Sequence, residues 1–429
     1  MKIEVSSPAC VPAGGFGSHR RDRQPGHSRR HNAGFWLIAA CFLTAMAFST
    51  VPTPLYPLYQ HRDGFSTFMI TVIFATYVVG VVGSLILVGP VSDWAGRKRI
   101  LIPALGLETI AAVIFLVWPT LPGLIVARLI TGLGVGMISA TATAYLQELH
   151  VVSRPDAGRG RFEIVSTAAN IAGLGVGPLI AGILAQYVTA PLRTPYIVFA
   201  VLLLLAIAAV AFAPETVGKP TQRPAWRPQS ISADHGDRAG FIAAAVGVFG
   251  AFSVFGLFTS LAPAFVAGTL HHPSRALAGL IVFVVFGAAA LAQSATPRVK
   301  LRTRLSAGLV GEAAGVIVLA AGMEKANLAL FLIGGALACA GAGVLFKSAI
   351  GSVASAASPA ERGAALAGLF LIAYLGLIVS AVGLGIATQY TTATRAMLWF
   401  TAALLAVLAT VAVLNRANRR SPIAASVGE

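Results

Sequence analysis

The chain has 429 residues, 57% of them hydrophobic and only 11% charged, with a formal net charge of +16. Soluble domains carry about 25% charged residues, and a soluble chain this long needs a charged surface around two or three cores. The apolar residues come instead in blocks of about twenty, the helix length that crosses ~30 Å of hydrocarbon, so lipid is the solvent for most of the chain.

In chain order, residues 1–32 hold Arg20, Arg21, Arg23, Arg29 and Arg30 without the apolar stretch of a signal peptide. They are expected to be a disordered, basic cytoplasmic tail. Spans are predicted at 34–56, 67–89, 100–118, 122–146, 164–187 and 196–212, forming a six-helix bundle over 33–213. A hydrophilic central cytoplasmic loop, 214–239, precedes spans at 240–266, 276–295, 305–323, 328–348, 364–387 and 396–414. These form a second bundle over 240–415, with a cytoplasmic tail at 416–429. The thinnest separators are 119–122 and 324–327. The ten-residue alternating segments of a membrane β-barrel are absent. The expected fold is an all-α membrane protein, with twelve transmembrane helices in two six-helix pseudo-symmetric halves.

On this plan the side holding both chain ends receives 24 of the 31 Lys and Arg residues, and the opposite side 5. Arg128 and Lys347 fall within spans. Cytoplasmic loops hold the Lys/Arg excess, so both termini are expected in the cytoplasm, in a multi-pass protein of a cell membrane. A missed helix would scramble that split. The net positive charge is mostly topology, because the basic residues are spread over short loops and form no nucleic-acid-binding domain. Cys10, Cys41 and Cys339 make no disulfide framework. The eight histidines never fall at metal-ligand spacing with acids on one helix. Neither a metal nor a cofactor is expected.

The two halves repeat. A shift of 203 positions matches Arg159-Gly160 with Arg362-Gly363, Gly173-Leu174 with Gly376-Leu377, Gly182 with Gly385, and Gln186-Tyr187 with Gln389-Tyr390. A shift of 204 pairs Glu108 in span three with Glu312 in span nine. Parallel repeats of this kind build alternating-access transporters with a site near mid-membrane.

Between spans two and three runs Gly89-Pro90-Val91-Ser92-Asp93-Trp94-Ala95-Gly96-Arg97-Lys98-Arg99. Gly89 and Gly96 allow close helix approach and a tight turn. Asp93 can face the positive N-terminal end of a neighbouring helix, and Arg97 can bridge to an acid. An ordinary basic loop accounts for Arg97, Lys98 and Arg99 but not for Asp93 between its glycines. The segment resembles the first signature of the major facilitator superfamily. That resemblance implies a cytoplasmic gate whose acid partner lies near the end of span four, the depth of Glu148. The second half has a degenerate copy, Arg298, Lys300, Arg302 and Arg304, without the Asp.

Further segments resemble the same family. Arg128-Leu129-Ile130-Thr131-Gly132 in span four is similar to its second motif, although so shallow an Arg can also snorkel. Gly132, Gly134 and Gly136 follow no strand, so they read as helix packing rather than a dinucleotide fingerprint. In span five, Gly173, Gly177, Pro178 and Gly182 resemble the motif of the antiporter branches, with Ala181 in place of a Gly, and imply tight packing of this helix against the other half. Pro52-Thr53-Pro54-Leu55-Tyr56-Pro57 is similar to the paired prolines of drug exporters, and Pro214-Glu215-Thr216 is common in the family. One departure is that span one contains no acid, whereas many drug/proton antiporters carry one there.

Ionisable residues inside a membrane default to function. Glu108 and Glu312 lie about nine residues into their spans, near mid-membrane at ~13 Å. There, loss of water favours a neutral, protonated carboxyl, as a proton carrier requires. A protonated Glu hydrogen-bonded between helices is the structural alternative, and the resemblance makes spans three and nine peripheral. Arg128 is a third candidate for proton coupling, while Lys347 and Asn170 are candidates for the substrate cavity. The expected function is alternating-access secondary transport by a monomer in the lipid bilayer, as proton-coupled export of small hydrophobic or amphipathic molecules. The alternative is a proton symporter or facilitator importing a small metabolite. A membrane-embedded enzyme or sensor is disfavoured, because no nucleophile–base pair, metal cluster or cytosolic domain is evident.

Overall fold

The computed structural model describes residues 25–88, 91–155, 157–158, 160–217, 238–358 and 361–420; the side chains of 25–28, 92, 93 and 417–420 are outside that description. Twelve helices long and apolar enough to span a membrane follow one another. They are α1 (Arg29–Asp63), α2 (Thr67–Val88), α3 (Arg97–Val117), α4 (Leu121–Ser153), α5 (Gly160–Tyr187) and α6 (Thr194–Phe212). The second set is α7 (Arg238–Ser260), α8 (Arg275–Ala295), α9 (Leu301–Glu324), α10 (Leu328–Ala356), α11 (Arg362–Tyr390) and α12 (Ala393–Arg416). No strand occurs among the described residues.

An even number of crossings puts the start of α1 and the end of α12 on one side, called here the terminal side; the other is the far side. The thin separators hold, since α3 stops at Val117 before Thr120 in extended backbone, and Asn327 caps α10 by accepting from the Leu330 N–H at 3.0 Å. Several helices outrun their apolar blocks. α4 continues to Ser153 and α10 to Ala356, because beyond the hydrocarbon a helix still satisfies its own backbone and needs only water or a neighbour for its side chains. Regular helix at the chain start begins at Pro25, inside the stretch expected to be tail.

Helices α1 and α5 are interrupted, and the predicted span 240–266 breaks after Ser260 and resumes as a short helix, Ala262–Gly268, with Pro263 in its first turn. In α1 the regular helix ends at Thr50, and Pro52 and Pro54, which have no N–H to give, turn it through a 3-10 segment, Thr53–Leu55, into a further helix, Tyr56–Asp63. α5 contains one π turn, Ala168–Ala172, and Pro178 lies downstream in it.

Helix packing follows the repeat. In the first half α4 packs on α1, α2 and α3, with α3 against α6; in the second, α10 packs on α7, α8 and α9, with α9 against α12. The halves meet through two equivalent pairs, α5 with α8 and α2 with α11. Each half has its own apolar core, one around Phe42, Phe48, Phe115 and Phe199, the other around Phe255, Phe258, Phe286 and Phe331.

Candidate functional site

On the terminal side, α2 gives way to a helical turn, Ser92–Ala95, then to Gly96 at φ +104°, and α3 begins at Arg97. Only glycine holds such a φ without strain. Arg97, 5% exposed, reaches α4: its Nη2 donates to Glu148 Oε1 at 2.6 Å, and its Nε lies 3.2 and 3.3 Å from the two carboxylate oxygens. This forked pairing is the strong form of a charge-assisted hydrogen bond. Thr216 Oγ1 donates to the other oxygen of Glu148.

Sequence reasoning gave Glu215 no role, yet it completes this cluster. Its carboxylate accepts from the backbone N–H of Arg97 at 3.1 Å and of Lys98 at 3.2 Å, capping α3 where the helix dipole is positive. A Cβ on Gly96 would come within 3.2 Å of Glu215 Oε2. Lys98 Nζ donates to the Ala211 carbonyl at 2.8 Å, and Tyr145 hydroxyl to the Pro214 carbonyl at 2.6 Å, fixing the end of α6 against α3 and α4. The signal was present in Pro214-Glu215-Thr216, but a lone acid after a helix does not name a partner 118 positions earlier. Arg99 is exposed. Gly89 and the Asp93 side chain lie outside the described residues.

Near the far side, Arg128 is 2% exposed, so it does not snorkel. Among the described residues no carboxylate lies within ion-pair distance of it. Its charge is compensated in two other ways. Nη1 donates to the Ser49 carbonyl, at the end of the broken α1 helix, where the dipole is negative. The guanidinium also stands 4.1 Å from the Tyr77 ring centroid and 5.9 Å from that of Phe74, contacts worth about 2 kcal/mol when desolvated. Its Nε has no hydrogen-bond partner.

Glu108 and Glu312 are both 0% exposed, and neither carboxyl has a hydrogen-bond partner. The hydrogen bond that the structural alternative calls for is absent at both carboxyls. Each lies against glycine: Glu108 Cγ would be 2.9 Å from a Cβ on Gly134 of α4, and Glu312 Oε1 3.6 Å from one on Gly250 of α7. Removing side chains opposite leaves just enough room for a carboxyl and offers it no donor. Gly132 and Gly136 serve close packing of α4 on α2, with Tyr77 O and Ser84 Oγ each 2.0 Å from the missing Cβ.

The glycines of α5 divide between two neighbours, one in the other half and one in their own. Gly173 and Gly177, one turn apart, pack on Leu43, Met46 and Ala47 of α1, within the same half. Gly175 and Gly182 sit on another face and meet Phe283 and Arg275 of α8. Asn170 is half-buried within the π turn.

Contacts between halves concentrate on the far side. Thr53 Oγ1 donates to the Thr259 carbonyl at 3.0 Å, joining α1 to α7. Gln186 Oε1 accepts from the Arg275 N–H at 3.0 Å, and its repeat-mate Gln389 donates to Ser66 Oγ at 3.4 Å. Gly182 and Gly385 repeat the pattern against Arg275 and Thr71. On the terminal side Lys347 Nζ stands 3.4 Å from Glu163 Oε2 of α5 and 3.2 Å from the Gln293 carbonyl of α8. Lys347 is thus a bridge between halves. An apolar cavity of about 190 Å³ lies in the terminal-side half, between Val82, Leu85 and Ile86 of α2, Ala140 of α4, and Phe370 and Tyr374 of α11. Neither Lys347 nor Asn170 lines it. No cluster of metal-ligating side chains occurs among the described residues.

The model of the Major Facilitator Superfamily matches residues 37–311. An uncharacterised MFS-type transporter of Mycobacterium tuberculosis is 29% identical over 160 residues, 37% of this chain and 23% of that protein. The arabinose-proton symporter of Bacillus subtilis is 29% identical over 152 residues, 34% of this chain and 32% of that one. The matched stretch is thus under a third of either relative's length. The crystal structure of the human organic anion transporter MFSD10 (TETRAN) has the same fold, with a TM-score of 0.65 over 91% of this chain and all of that one, at 17% identity. Twelve membrane-spanning helices in two repeated halves, the charged turn between α2 and α3 and the family match lead to one conclusion: the chain belongs to the Major Facilitator Superfamily.

Proposed function

We propose that this protein is a proton-coupled exporter of small hydrophobic or amphipathic molecules, working by alternating access in a cell membrane with both termini in the cytoplasm. The observation that carries the reading is the uneven closure between halves. Repeated residues, Gln186 and Gln389, Gly182 and Gly385, seal the far side on both flanks. The terminal side carries one ion pair across the halves among the described residues, Glu163–Lys347, and has an apolar cavity between α2 and α11. That state takes a greasy molecule from the cytoplasmic side. Rocking the two bundles, 33–213 and 240–415, then breaks the far-side contacts and seals the terminal side, with Asp93, Arg97 and Glu148 as gate.

Coupling needs a group whose proton changes the preferred state. A buried carboxyl without a partner is costly when charged, so Glu108 and Glu312 favour whichever arrangement admits a proton or a counter-charge. Arg128 joins this system by holding the end of α1 to α4, so that movement of the broken helix changes the field at mid-membrane. Transport into inverted vesicles under an imposed pH gradient, across a panel of apolar drugs and metabolites, tests the reading. Gradient-driven uptake of apolar compounds supports it; substrate counterflow with no proton movement refutes the coupling.

A second reading is import of a small metabolite with protons. The likeness to the arabinose-proton symporter, over a third of this chain, favours it. Uptake of a sugar into right-side-out vesicles, with alkalinisation of the medium, would replace the export reading.

A further inference from the structure

Where α8 turns into α9, on the terminal side, the chain reads Thr296-Pro297-Arg298-Val299-Lys300-Leu301-Arg302-Thr303-Arg304. Four cations fall within seven residues, with no acid among them. Arg298, Lys300 and Arg302 are exposed and Arg304 is half-buried. Among the described residues none of them makes an ion pair, and Arg304 Nε is buried without a hydrogen-bond partner.

The equivalent segment of the first half is neutralised from within. There Arg97 is paired with Glu148, Lys98 is bound to the Ala211 carbonyl, and Glu215 caps the helix. In the second half the repeat sets Gly351 and Ser352 where Glu148 stands, so α10 supplies no acid. α9 has neither a capping side chain nor an acid in its first turn. Its cations therefore crowd the positive end of the helix dipole, an arrangement that repels itself. A counter-charge from outside the chain relieves that repulsion.

We propose that this segment is a docking surface for the phosphate headgroups of anionic phospholipids in the leaflet on the terminal side. The cations supply phosphate with charge and, through the arginines, forked donors. Polybasic segments at a membrane surface gain about 1 kcal/mol per Lys or Arg from anionic lipid. The interleaved side chains decide between lipid and free phosphate. Val299 and Leu301 are 38% and 37% exposed between the cations, and such apolar side chains among basic ones suit the edge of the hydrocarbon. The second copy of the charged turn is then an anchor, standing where the first half has a gate.

The test uses the full-length chain, purified in detergent and stripped of lipid, with thermal unfolding as readout. Added phosphatidylglycerol should raise the midpoint by several degrees in a saturable way, and phosphatidylcholine at the same mole fraction should not. The double variants Arg298→Gln/Lys300→Gln and Arg302→Gln/Arg304→Gln should each lose most of that rise. Arg238→Gln/Arg416→Gln, which removes two exposed cations of the same side elsewhere, should keep it. The proposal is overturned if both loop variants keep the full rise, if phosphatidylcholine matches phosphatidylglycerol, or if inorganic phosphate alone reproduces the effect.

Discussion

Arg97, Glu148, Glu215 and Thr216 form one network in which each acid has a separate task. Glu148 neutralises the buried guanidinium, and Glu215 neutralises the start of a helix. Removing one partner of such a pair leaves a charge half out of water, at a cost of about 3–5 kcal/mol for a fully buried pair. Arg97→Glu and Glu148→Arg should each reduce transport more than tenfold at unchanged membrane level, and the double swap should recover a substantial part. Equal loss in the double variant would show that the two side chains do not act through each other. The Arg97–Glu148 contact was legible because a signature segment points to a charged partner at the depth of α4. Glu215 was not, because nothing local in Pro214-Glu215-Thr216 encodes the distant N–H groups it caps. Glu108 and Glu312 belong to the same scale. A glutamine fills the space of a protonated glutamate and cannot release a proton. Glu108→Gln and Glu312→Gln should therefore lose pH-driven transport and keep substrate counterflow. Full pH-driven transport in both variants would make these acids structural.

Individual helices carry most of what composition could announce, and their failures of regularity carry what it could not. Apolar blocks placed all twelve spans and put Pro52 and Pro54 at the far end of α1. The consequence of that break, a freed Ser49 carbonyl bound by Arg128, needed the fold, because α1 and α4 are adjacent only in space. The π turn around Asn170 has no pattern in sequence either, since one extra residue per turn leaves apolar periodicity intact in an all-apolar helix. Glycines were legible as packing residues but not as to which neighbour they pack on. The contact of α5 with α8 makes the point quantitative. A Cβ on Gly279 would lie 2.1 Å from the Pro178 carbonyl oxygen, whereas one on Gly287, two turns along the same helix, meets nothing within 4 Å. Gly279→Ala should force these helices apart, costing about 1–3 kcal/mol as overpacking does, and lower both the unfolding midpoint and transport. Gly287→Ala should be neutral, or stabilising by the helix propensity of alanine, about 1 kcal/mol. Equal midpoints for the two variants would contradict the assigned helix contact.

For the whole molecule, the repeat seen as scattered identities in sequence becomes a two-fold arrangement of contacts. Gln186 ties the end of α5 to the start of α8, and Gln389 brings the end of α11 to the residue before α2. Sequence comparison gave the matched residues without saying that they face the other half, because a repeat fixes equivalence within a chain and not the axis relating the copies. The Lys/Arg split supports the proposed orientation, with both termini in the cytoplasm: reporters fused after Arg193 and Arg395 should then read outside the cytoplasm, and one after Arg419 inside. A reversed reading at either end would invert the proposed direction of transport. The two-fold contacts lead to a last expectation. If the halves rock about mid-membrane, the far-side contacts must part in every cycle, because Thr53–Thr259, Gln186–Arg275 and Gln389–Ser66 all bridge one half to the other. In a Cys10→Ser background, cysteines introduced at Ser66 and Gln389 should react with a short cleavable bis-maleimide, while the buried Cys41 and Cys339 stay unmodified. Cross-linking should stop turnover, and cleavage of the linker should restore it. A control pair at Arg62 and Thr120, two ends within the first half, should tolerate the same linker. Transport at the wild-type rate in the fully cross-linked Ser66/Gln389 protein would mean that these ends never separate, and alternating access through the far side would have to be abandoned for this chain.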